Sequence, residues 1–112
     1  MDFQTTEIED ILIIKILPKR ATMKIADPLR EYILRVIEKG TRKIIIDLNN
    51  VDFLDSTFLG ALMAGMKRLI ALDGEIRLCA QNPNIAAVLD VTRLNKVFSL
   101  FPSVTEATNS FF

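Results

Sequence analysis

The stretch Lys43-Ile44-Ile45-Ile46-Asp47-Leu48 constrains the fold of this chain more than any other. A strand with one wet face alternates apolar and polar residues, whereas an unbroken apolar run of this length reads as a strand buried on both faces. Such a strand belongs in the centre of a sheet. The segments around it fit that place. Residues 3 to 8 and 11 to 17 read as two strands, the second being the β-branched run Ile11-Leu12-Ile13-Ile14-Lys15-Ile16-Leu17. Glu9-Asp10 between them suits a two-residue hairpin, and Pro18-Lys19-Arg20 ends the second strand because proline has no N–H for the ladder.

The periodicity then becomes helical. Over residues 25 to 39, Ile25, Leu29, Tyr32, Ile33, Val36 and Ile37 fall on one stripe and the charged residues on the other. Asp27-Pro28 predicts a start near that proline, since proline is best tolerated in a first turn. Gly40 stands where a left-handed C-cap is wanted. A second helix, about 57 to 72, has Leu59, Leu62, Met63, Met66, Leu69 and Ile70 as its buried stripe. Small residues Gly60, Ala61, Ala64 and Gly65 would let it lie close to the sheet. Asp73-Gly74 closes it, and Glu75 to Cys79 is a fourth strand. Pro83 to Val91 forms a short helix, Val97 to Leu100 a last short strand, and Pro102 opens a C-terminal helix with Val104 and Ala107. The order β-β-α-β-α-β-α-β-α predicts an α/β fold: a single domain over residues 1–112, with a mostly parallel central sheet, an N-terminal edge hairpin and about four helices.

Composition closes several functional classes. The chain carries 14 basic and 14 acidic residues, so it lacks the cationic surplus that nucleic-acid phosphates or anionic membranes require. It has no histidine and one cysteine, Cys79. Histidine-based nucleophile systems, histidine metal sites and a structural zinc site are therefore absent from the expectation, as is an internal disulfide. The glycines, Gly40, Gly60, Gly65 and Gly74, do not make a phosphate-binding loop, and no cofactor is expected. Met1-Asp2-Phe3-Gln4 does not resemble a signal peptide, and no apolar run approaches the roughly 18 residues that span a bilayer. The expected location is the reducing cytoplasm.

Chemistry concentrates in Val51-Asp52-Phe53-Leu54-Asp55-Ser56-Thr57-Phe58-Leu59-Gly60. A carboxylate and two hydroxyls stand in tandem where the loop after the central strand enters a helix, at the carboxyl end of the sheet where α/β proteins place their sites. A helix N-terminus presents free N–H groups and the positive end of a dipole, so it tolerates a phosphoryl group. The same residue types are the preferred N-caps, each contributing about 1 kcal/mol. A reciprocal capping box is missing, because neither Phe58 nor Leu59 can return a carboxylate. One cap needs one side chain, so three consecutive candidates leave at least one hydroxyl free.

The combination of the strand ending in Asp47-Leu48, the short loop, Asp55-Ser56-Thr57-x-Leu59-Gly60 and the helix behind it resembles the signature of STAS domains in bacterial anti-sigma factor antagonists. The likeness runs along nearly the whole chain, through Asp73-Gly74 and the stretch Ile85 to Leu94. It implies that Ser56, directly after the aspartate, is the residue phosphorylated by a partner anti-sigma factor of the GHKL serine-kinase type. Thr57 is then a secondary acceptor, Asp55 shapes the acceptor site, and Asp55, Ser56, Thr57, Phe58 and Thr22 are the expected partner contacts. A phosphatase would reverse the switch, and a weak homodimer is a further expected partner. The kinase and its ATP site would belong to the partner, so this chain would be a substrate and not an enzyme.

Two stretches depart from the family pattern. Phe58 stands where a glycine is usual, and its ring either shields the hydroxyls, offers an apolar contact to a partner or is equally well tucked into the core; Pro18-Lys19-Arg20-Ala21-Thr22 lacks the family's glycine and aspartate. An alternative reading is a STAS subunit of a signalling assembly or lipid-transport complex in which Ser56 is only a cap. An enzymatic pair of Asp55 and Ser56 has no neighbouring base of suitable pKa.

Overall fold

The computed structural model describes residues 2–112. Strands β1 (Phe3–Ile8) and β2 (Ile11–Ile16) form the N-terminal hairpin, with Glu9 taking the left-handed backbone at its turn, φ 57°. β3 (Arg20–Ala21), α1 (Met23–Glu38), β4 (Lys43–Asp47), β5 (Phe53–Leu54) and α2 (Ser56–Ile70) follow. Then come β6 (Glu75–Cys79), α3 (Pro83–Val91), a 3-10 turn over Leu94–Lys96, β7 (Leu100–Phe101) and α4 (Val104–Asn109).

The main sheet has the order β1-β2-β4-β6-β7. Among the described residues only the β1–β2 pair is antiparallel; β2–β4, β4–β6 and β6–β7 are parallel. The central position of β4 follows from its sequence, since Ile44, Ile45 and Ile46 are all fully buried. Alternate residues serve opposite faces. Leu12, Ile14, Ile16, Ile44, Ile46, Ile76 and Leu78 join the main core with α1, α2 and α3, whereas Ile11, Ile13, Ile45 and Cys79 meet Ala107, Val104 and Phe111 on the α4 side. An uninterrupted isoleucine run is what a sheet covered on both faces needs.

Several details differ from the patterning. α1 begins earlier than the proline suggests, because Thr22 caps it and the helix runs through Pro28. The last strand is Leu100–Phe101, with Val97 closing the 3-10 turn instead. The pair β3–β5 is too short to leave a periodic signal, yet it ties the β2–α1 loop to the β4–α2 loop in a small parallel sheet. Ile70 is 59% exposed, outside the stripe assigned to it.

The small residues of α2 act in two ways. A Cβ at Gly65 would stand 2.6 Å from Ile33 Cγ2 and 3.1 Å from Ile76 Cδ1, so this glycine permits the close approach of α2 to both α1 and the sheet. Gly60 faces open space. Gly74 is required by backbone proximity, since a Cβ there would lie 2.5 Å from the Arg42 carbonyl oxygen.

Candidate functional site

The segment between β4 and α2 is held from both sides. Asp47, buried at the end of β4, accepts hydrogen bonds from the Asn49 backbone and side-chain nitrogens, both at 3.0 Å. Asn49 Oδ1 in turn accepts from Gln81 N–H at 3.1 Å, and Asp52 Oδ1 from Asn82 Nδ2 at 3.3 Å, which joins the segment to the β6–α3 loop. On the other side, Asp52 N–H donates to the Lys19 carbonyl and Asp55 N–H to that of Ala21. Val51 and Leu54 are buried beneath. Ser56 is thus presented from a braced loop.

Asp55 settles the question of the cap. It is the N-cap of α2: its Oδ1 accepts from Phe58 N–H at 2.8 Å. Its Oδ2 accepts from Met23 N–H at 2.9 Å, so one carboxylate ties the N-terminus of α2 to that of α1. Ser56 and Thr57 are the first two residues of α2 and both are exposed. Ser56 is not the cap, and among the described residues its exposed hydroxyl makes no hydrogen bond.

This division of labour has a measurable consequence. Asp55→Ala removes a cap and a charge-assisted link between helices, and should lower stability by about 2 kcal/mol. Ser56→Ala should change it by less than about 0.5 kcal/mol. Urea denaturation of the two variants beside the native chain checks both, and a cost at Ser56 equal to that at Asp55 would contradict the assignment.

The remaining expected contacts fall in different places. Phe58 is fully buried, so its ring is not a partner contact; it is the third residue of α2, rotated toward the core while Ser56 and Thr57 face outward. Thr22 is half-buried beside the site, and its Oγ1 caps α1 by accepting from Lys24 N–H at 3.4 Å. The exposed apolar residues near Ser56 are Met23, 67% exposed, and Phe53, 42% exposed with the Arg20 guanidinium 4.2 Å above its ring. Sequence reasoning assigned neither to the site. The alternation of Phe53 with buried Leu54 is the signal that marks Phe53 as outward-facing.

A groove of about 540 Å³ runs from Thr57 between α1 and α2, lined by Ala26, Ala61 and Met63 with Asp27, Arg30 and Lys67 at its margins. Cys79, at the end of β6, lies under the braced loop with its Sγ 3.5 Å from Asp47 Oδ1. Burial, the adjacent Asp47 charge and the hydrogen bond to Asp47 push its thiol up to about 12, which makes it an unreactive buried group.

A model of the STAS domain family matches residues 2–107. The chain belongs to the STAS domain family. A protein of Thermotoga neapolitana named as an anti-sigma factor antagonist is 26% identical to this STAS chain over 102 residues, 89% of this chain and 88% of the relative. The crystal structure of a Thermotoga maritima protein named as an anti-sigma factor antagonist matches with a TM-score of 0.86 at 23% identity, covering 96% of this chain and 92% of that one. The phosphorylated form of the Bacillus cell fate determinant SpoIIAA matches with a TM-score of 0.77 at 21% identity, covering 98% and 99%. These structural likenesses agree with the fold described above, including the antiparallel hairpin at the edge of a mostly parallel sheet. No helix among the described residues is long and apolar enough to cross a membrane.

Proposed function

We propose that this STAS chain is an anti-sigma factor antagonist whose binding face surrounds Ser56, and that phosphorylation of Ser56 switches it off. The observation that carries the reading is the separation of roles at the α2 N-terminus: Asp55 does the capping, and the Ser56 hydroxyl stands exposed beside it. The relatives named as anti-sigma factor antagonists supply the class of partner. The phosphorylated state of the structurally similar SpoIIAA supports a covalent switch in this fold.

The face would consist of Ser56 and Thr57, the outer edge of Asp55, the half-buried Thr22, and the exposed apolar side chains of Met23 and Phe53. Apolar side chains ringed by polar groups are the usual anatomy of an interface. The partner is read as an anti-sigma factor that is itself a GHKL-type serine kinase, with a separate phosphatase restoring the unmodified form in the cytoplasm. In this scheme the chain supplies a hydroxyl and a binding surface, and the partner supplies ATP and catalysis.

In the alternative, a non-switching STAS subunit of a signalling assembly or lipid-transport complex, Ser56 stays unmodified; the cap role that reading gave to Ser56 is filled by Asp55. A competition experiment tests the antagonist reading. Unphosphorylated chain added to a cognate sigma–anti-sigma complex should displace sigma factor stoichiometrically. No displacement at an excess of chain, with the chain folded, would overturn it.

A further inference from the structure

The free edge of the main sheet has a two-fold pattern of its own. β1 is the terminal strand, and Leu17 N–H donates to the Asp2 carbonyl at 3.0 Å in the register that pairs Phe3 with Ile16. In an antiparallel ladder, directly opposed residues alternate between exchanging hydrogen bonds and pointing them away. Asp2, Gln4, Thr6 and Ile8 therefore turn their backbone groups toward β2. Phe3, Thr5 and Glu7 turn their N–H and C=O groups outward, where no strand among the described residues meets them.

Natural edges are commonly blunted by lysine, proline, a bulge or an overlying segment. β1, Phe3-Gln4-Thr5-Thr6-Glu7-Ile8, has no lysine or proline and pairs with β2 without interruption. Space along it is open: a cavity of about 600 Å³ is lined by Phe3, Gln4, Thr5, Thr6 and Tyr32, and so reaches both faces of the edge. The Phe3 and Tyr32 rings, 5.4 Å apart, form an apolar shelf at one end of it.

We propose that this edge is a homodimerisation surface, on which β1 of a second copy pairs antiparallel about a two-fold axis through Thr5. In that register Thr5 opposes Thr5, and Phe3 of each copy opposes Glu7 of the other, so every outward backbone group of the strand finds a partner. On the opposite face Gln4 meets Thr6, and Asp2 meets Ile8. Each acidic side chain then faces an uncharged residue, which removes the like-charge repulsion that self-pairing usually creates. A slip of one residue would set outward groups against inward ones, and a slip of two would leave terminal groups unpaired. The self-complementarity of the strand about Thr5 is what selects a second copy as the occupant.

Two short strands bury less than the roughly 800 Å² per partner of a standard stable interface, so the dimer forms at high micromolar to millimolar concentration. Sedimentation velocity and amide hydrogen exchange across that range test it. With rising concentration the chain should shift toward a dimer, and exchange at Phe3, Thr5 and Glu7 should slow while that at Gln4, Thr6 and Ile8 stays constant. Thr5→Pro deletes an outward donor without touching the β1–β2 ladder, and should weaken association about tenfold or more. Thr5→Lys keeps the backbone and places like charges on the axis, with the same expected loss should the proline variant misfold. A chain that stays monomeric at millimolar concentration, or association indifferent to both substitutions, would overturn the proposal.

Discussion

Phe58→Ala should lower the unfolding free energy by about 3–5 kcal/mol, the usual cost of emptying a fully buried aromatic site. The ring is wholly enclosed in the main core, and it sits in the first turn of α2, next to the two exposed hydroxyls. Its loss leaves a cavity in the main core at the first turn of α2. For a domain of this size the change corresponds to a fall in melting temperature of at least about 12 °C. Phe58→Leu, which retains most of the apolar volume, should cost about half as much. Thermal and urea unfolding check both. If Phe58→Ala left stability intact while weakening partner binding, the ring would be acting as a surface contact, contrary to its burial here.

A charge at Ser56 should have the opposite profile, with a large effect on binding and little on stability. A phosphoryl group adds roughly −1.5 to −2 charges at pH 7. On the exposed first residue of α2 that charge is favoured by the helix dipole and needs no rearrangement of the fold. Inside a contact with a partner it must be desolvated beside the Asp55 carboxylate. A loss of about 3 kcal/mol weakens binding roughly a hundredfold. Ser56→Asp carries part of the charge, and should weaken binding to the anti-sigma factor by about tenfold or more while its melting temperature stays within a few degrees of native. Calorimetric titration beside a thermal melt separates the two effects. Unchanged affinity in Ser56→Asp would count against an electrostatic switch at this position.

The fold was legible because its strands are extreme in composition. The isoleucine runs of β2 and β4 allow little but buried strands, and α3 agrees with its expected bounds residue for residue. What escaped the sequence was decided by long-range contacts. Thr22 and Asp55 cap helices whose N-termini lie side by side, and the bond from Met23 N–H to Asp55 exists only once α1 and α2 have packed together. That contact could not be read from either segment alone. β3 and β5 stabilise each other only after the two loops are adjacent, so neither announces itself.

The placement of the candidate residues was legible in part. Ser56, Thr57 and Asp55 stand together as the tandem of polar residues implied. Phe58 was readable in principle, since it shares a helical stripe with Leu62, Gly65 and Leu69, all of which face inward. Ile70 erred the other way: an apolar side chain at the last position of α2 has turned past the edge of the core. Of the two places open to Phe58, contact or core, its burial selects the core, and Phe53 and Met23 supply the exposed apolar surface instead.

The most direct measurement is phosphosite mapping after incubation with the cognate anti-sigma factor and ATP. Tandem mass spectrometry should place a single phosphate on Ser56, and Ser56→Ala should abolish incorporation while leaving a folded chain that still binds. Phosphate found only at Thr57, or incorporation that persists undiminished in Ser56→Ala, would contradict the assignment of the free Ser56 hydroxyl as the switch.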